Sequence, residues 1–87
     1  MSEKQNLCLA VDEFAEAMKE RLLQKQKQGF YGWDEGDIYA YSIPTRLFGK
    51  AAEVYAMLNY SRVTKELRKK MLIDIANFAM MIWRKCK

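Results

Sequence analysis

The sequence predicts an all-α fold of three helices. Three observations predict it. Apolar residues recur at helical spacing in three separate stretches. No stretch alternates apolar and polar residues as a half-buried strand would. The chain has 87 residues, 51% of them hydrophobic, enough for one core and too few for two domains. Residues 1–87 are therefore read as a single domain. A lone domain of this size buries only about 60% of its unfolded surface, which makes a homodimer an expected remedy.

The first helix is expected from Leu7 to Lys27. Val11, Phe14, Ala15, Met18 and Leu22 form its apolar stripe. Acids (Asp12, Glu13, Glu16, Glu20) lie early and bases (Arg21, Lys25, Lys27) late, as the helix dipole favours. A break is expected over residues 28–41, where Gly29, Gly32 and Gly36 interrupt an aromatic-rich run of Phe30, Tyr31, Trp33, Tyr39 and Tyr41. A loop of that length in a small domain is either functional or a cap on the core.

The second helix is expected to open at Ser42 as N-cap, with Pro44 in its first turn. Leu47, Ala51, Val54 and Leu58 make its stripe, and a turn over residues 60–63 ends it. Thr64 is the expected cap of the third helix, which runs to the C-terminus. Leu67, Met71, Ile75, Phe78 and Ile82 form its apolar face, with Leu72 and Ala79 alongside.

Composition excludes several chemistries. With no His and two Cys, the chain has no imidazole ligand, no Cys-His or Ser-His nucleophile and no zinc-finger ligand set. Catalysis would have to run on carboxylates, lysine or a bound metal. The longest apolar run, Met71 to Trp83, carries Asp74 and Asn77 and falls short of the ~20 residues that span a bilayer. Nothing in the first residues reads as an export signal, so no membrane partner and a cytoplasmic setting with reduced thiols are expected. Charge is uneven. Residues 1–37 carry eight acids against five Lys/Arg, net −3, and residues 38–87 carry three against ten, net +7. A basic half suits phosphate-bearing partners, and equally suits a plain solvated surface.

Two carboxylates stand out. Asp74 shares the apolar face of the third helix with Met71 and Phe78, where a bare charge costs several kcal/mol unless paired or bound to a cation. Asn77 lies one turn on. Glu53 sits among Ala51, Ala52 and Ala56, small neighbours that let another helix come close. Facing one another across a helix hairpin, Glu53 and Asp74 with Asn77 would offer Mg²⁺ oxygen ligands. The alternative is structural: Lys50 pairs with Glu53, and a lysine or tyrosine of a neighbouring helix satisfies Asp74.

The run Asp74-Ile75-Ala76-Asn77-Phe78-Ala79-Met80-Met81-Ile82 resembles the last helix of the MazG-like all-α nucleotide pyrophosphohydrolases, notably their small phage and archaeal members. Phe14, Met18 and Leu22, the segment from Lys27 to Gly32-Trp33, and Arg46-Leu47 followed by Glu53 resemble the family's upstream pieces in order. The resemblance implies a helical bundle completed by dimerisation, and Mg²⁺-dependent conversion of nucleoside triphosphates to monophosphate and pyrophosphate. It also implies metal ligation by Glu53 and Asp74, with Asn77 as accessory. Lys27 and Lys50 would contact phosphates, Asn77 would sit beside the nucleotide, and Trp33 would stack on the base.

Two of the family's four acids have no match here. Lys50 and Met71 stand where carboxylates belong. The site charge falls from near −4 to about −1, and each unit charge about 4 Å from the metal is worth roughly 4 kcal/mol at an effective dielectric of 20. Weak Mg²⁺ binding and weak or lost hydrolysis follow, with no confident catalytic residue. What remains is nucleotide or phosphate binding, or dimerisation. The rival is a small basic helical regulator or nucleic-acid-binding protein using Arg62, Lys65, Arg68, Lys69 and Lys70, but no helix-turn-helix signature supports nucleic acid.

Overall fold

A computed structural model of the protein describes residues 2–29, 38–57 and 62–86. These residues form three helices and no strand: α1 over Glu3–Lys27, α2 over Ile38–Met57 and α3 over Lys65–Lys85. Within this set no helix is long and apolar enough to cross a membrane. Trp33, expected to stack on a base, and Leu58 of the expected α2 stripe fall outside the described residues.

Helix α1 starts four residues before the expected Leu7. Ser2 is its N-cap, accepting from the Gln5 N–H at 3.1 Å, while the Gln5 side-chain oxygen accepts from the Ser2 N–H at 2.9 Å. This reciprocal pair satisfies two otherwise orphaned donors and makes the polar start Glu3–Asn6 helical without any apolar stripe. At the other end, the Gln28 and Gly29 N–H groups close back on Gln24, Lys25 and Gln26 carbonyls. Gly29 has φ +95°, a conformation that costs other residues about 1–2 kcal/mol.

The start of α2 corrects the expected boundary. Ser42 is not a cap: the helix is already formed at Ile38, so the break is shorter than residues 28–41. Pro44 is the seventh residue of α2 and leaves the Ala40 carbonyl without its intrahelical donor. The compensating contact is Ile43, buried against the rest of the molecule. Covered residues on α2 are Ile43, Leu47, Lys50, Val54 and Met57, spaced i, i+4, i+7, i+11 and i+14. Ala51, expected in the stripe, is exposed, because Ile43 turns the packed face toward Lys50.

Thr64 caps α3 as expected, its hydroxyl accepting from the Leu67 N–H at 3.2 Å. Helix α3 is the centre of the fold. It packs against both α1 and α2, and α1 and α2 do not pack on each other among the described residues. Contact on two sides gives it three of the four buried positions among the described residues, Met71, Asn77 and Met81. Leu72 and Ala79, expected alongside the core, lie on a side of α3 left bare, and Leu67, in the first turn on the apolar face, is exposed as well. The same incompleteness marks α1. Ala15, Met18 and Leu22 are half-covered, but Val11 and Phe14 of the same stripe are exposed.

Gly49 sits mid-helix on the exposed side of α2, and a Cβ built there meets nothing within 4 Å. Gly49→Ala is expected to stabilise the chain by about 0.5–1 kcal/mol, by removing backbone freedom from the unfolded state. A thermal melt should rise by several degrees, since 1 kcal/mol moves a domain of this size about 4–8 °C.

Candidate functional site

The candidate site is the seam between α1 and α3. The Arg21 Nε donates to Asp74 Oδ1 at 3.0 Å, with both side chains largely covered. One turn earlier on α1 and three residues later on α3, the Asn77 Nδ2 donates to the Met18 carbonyl at 3.3 Å. The two contacts fix α1 and α3 antiparallel and lock their register. Helical spacing makes this possible: Met18 and Arg21 are i, i+3 on one helix, and Asp74 and Asn77 are i, i+3 on the other.

Asp74 is thus satisfied by a cation from a neighbouring helix, an arginine of α1 rather than a lysine or a tyrosine. Asn77 is 3% exposed, and its Oδ1 is buried with no hydrogen-bond partner. A buried carbonyl oxygen left unpaired costs about 1–3 kcal/mol. Its amide nitrogen therefore anchors the seam while its oxygen weakens it.

The other sequence-predicted residues lie apart from this pair or outside the described set. Glu53 is exposed on α2, and Lys50 is half-covered on the packed face of the same helix. Among the described residues Lys50 and Glu53 make no ion pair with each other. Lys27 is exposed in the last turn of α1, and Trp33 lies outside the described residues. Met71 is 4% exposed and is part of the core.

This donor set fits a guanidinium better than it fits Mg²⁺. Among the described residues no three of His, Cys, Asp and Glu come together to hold a metal ion. Asp74 is the one covered carboxylate of the predicted pair, and Arg21 already supplies its counter-charge. Arg21 was missed by the sequence reading, although a signal existed. Arg21 lies between Met18 and Leu22 on the covered face of α1, a base on an apolar stripe, as Asp74 is an acid on another.

The basic start of α3 divides into two parts. Arg62, Lys65, Lys69 and Lys70 are exposed. Arg68 turns inward, with Nη2 donating to the Val63 carbonyl at 3.0 Å and its buried Nε unpaired. No protein-family model, no curated protein and no solved structure matches the chain.

Proposed function

We propose that this chain is a MazG-like all-α domain that acts in the cytoplasm by self-association, with the Arg21–Asp74 pair in place of a metal-binding acidic centre. The observation that carries the reading is uncovered surface. The chain exposes 7342 Å². A folded monomer of 10.3 kDa is expected to expose about 5,400 Å², so about 2,000 Å² per chain is in excess. The radius of gyration agrees, at 14.6 Å against about 12 Å for a compact domain of this length. Leu7, Val11, Leu23, Phe48, Tyr55 and Trp83 are all more than half exposed. Apolar area of that extent marks an interaction surface. An obligate dimer interface buries about 2,000–5,000 Å² in total, a range the excess supplies.

Hydrolysis is not part of the reading. Among the described residues Arg21 neutralises the one covered carboxylate, and Lys50 and Met71 stand where the resembled family has acids, which leaves two of its four. Phosphate binding by Lys27 and Lys50 is a secondary expectation, carried by the resemblance alone.

Two measurements test the proposal together. Light scattering on the full chain should give twice the monomer mass at micromolar concentration. Calorimetric titration with Mg²⁺ and the common nucleoside triphosphates should release no pyrophosphate. A monomer rejects self-association, and pyrophosphate release restores the enzyme reading.

A further inference from the structure

Helix α2 packs on α3 and covers Ile43, Leu47, Lys50 and Val54. Each of these is followed two residues later by an exposed position: Thr45, Gly49, Ala52 and Ala56. Two residues are a little over half a turn, so this second row runs along the side of α2 that points away from α3. The row is flanked on both edges. Arg46 and Glu53 come one residue after Thr45 and Ala52, and Phe48 and Tyr55 come one residue before Gly49 and Ala56. One edge is therefore charged and the other aromatic. All four flanking residues are exposed, Phe48 by 77% and Tyr55 by 75%. Among the described residues neither Arg46 nor Glu53 is in an ion pair.

The edges decide what fits this side. A two-fold axis perpendicular to α2 lays a second copy's α2 antiparallel on it and sets each edge against the same edge of the partner. Arg46 then comes to the partner's Glu53 and Glu53 to the partner's Arg46. Phe48 and Tyr55 meet the partner's Tyr55 and Phe48 in the same way. The midpoints of Gly49 and Ala52, of Arg46 and Glu53, and of Phe48 and Tyr55 all lie within one residue, about 1.5 Å, of an axis between Lys50 and Ala51. One axis therefore serves all three. The outer sides of the other helices do not pair in this way. On α1 that side carries Asp12, Glu16 and Glu20, and a second copy would bring acid against acid. The bare side of α3 sets Lys65 and Lys69 in line with Leu72, Ala79 and Trp83, and offers no acid to receive them.

We infer that the outer side of α2 is the surface on which two copies of this chain join, antiparallel about a two-fold axis, with Arg46–Glu53 contacts along one edge and Phe48–Tyr55 contacts along the other. Each contact is made twice, so the dimer closes. The pattern is that of an antiparallel coiled coil. The central row repeats at the seam spacing, and the flanking residues take the positions that set partner and direction. Small side chains in the row let the two helices come close. An alanine at position 49 would match Ala52 and Ala56 in size. The inference rests on the self-association proposed above and assigns its surface.

Sedimentation equilibrium on variants of the full chain tests it. Ala52→Arg puts a long base at the centre of the row and should run as a monomer where the wild type is a dimer. Residue 52 is exposed and arginine is a good helix former, so helical circular dichroism should be retained. Ala79→Arg, on the bare side of α3, should leave the dimer intact. Arg46→Glu sets like charges in both edge contacts and should raise the dissociation constant roughly tenfold. Adding Glu53→Arg to it exchanges the two charges and should bring the constant back toward that of the wild type. A dimer of Ala52→Arg, or a monomer of Ala79→Arg, overturns the α2 surface while leaving self-association standing. An exchange that recovers nothing overturns the antiparallel pairing. A wild-type monomer overturns both readings. If Ala52→Arg loses its helical signal, Ala56→Arg replaces it, and a dimer of that variant overturns the surface.

Discussion

Replacing Arg21 with alanine should lower the melting temperature by roughly 10 °C. The estimate starts from the cost of leaving one member of a buried ion pair alone, about 3–5 kcal/mol. Arg21 and Asp74 keep 15% and 13% of their side-chain surface in water, which reduces that cost to about 2 kcal/mol. At about 4–8 °C per kcal/mol, the shift is large for so small a chain. The double change Arg21→Met with Asp74→Leu should sit much nearer the wild type, because it removes both charges and keeps the volume. Thermal melts of the two singles and the double close a mutant cycle. A coupling near zero would mean that the pair is incidental and that Asp74 is solvated from elsewhere.

The double change Lys50→Glu with Met71→Glu should lower the melting temperature sharply in the absence of divalent ions. Met71 is among the few buried residues, and a carboxylate there lies one turn from Asp74 on α3. Arg21 carries a single positive charge, which Asp74 already matches. Several kcal/mol of desolvation then fall on a fold with little reserve. The same change restores the four-acid pattern that the sequence resemblance implies. Millimolar Mg²⁺ should therefore raise the melting temperature of the double variant by several degrees and leave the wild type unmoved. A wild type that responds to Mg²⁺ would defeat the proposed function, since Arg21 would then not stand in for the ion.

The helices were legible for local reasons. Thr64 reads as a cap because its side chain has one job, and the stripe of α3 follows without tertiary help. The Ser2–Gln5 cap was equally readable, but it precedes any apolar residue, so the stripe alone dates α1 too late. The start of α2 was not readable from its local signals. Ser42 and Pro44 both point to a helix beginning there, and the burial of Ile43 overrides them. Asp74 was conspicuous as a charge on an apolar face. Its partner was not identified, because matching Arg21 to it needs the register of α1 on α3, a tertiary quantity. For the same reason the stripe of α1 looked uniformly buried, whereas Val11 and Phe14 are exposed and Met18 and Leu22 half-covered.

Among the described residues no side chain is fully buried, and on α1 none is even classed with the core. Under the proposed self-association, a chain built this way draws its last increment of stability from its own second copy. By mass action, the fraction open to a protease then falls as the chain accumulates. Where opening is fast relative to cleavage, degradation follows that open fraction. On that proposal scarce chains are cleared and abundant ones persist, so the half-life of the protein becomes a function of its own abundance.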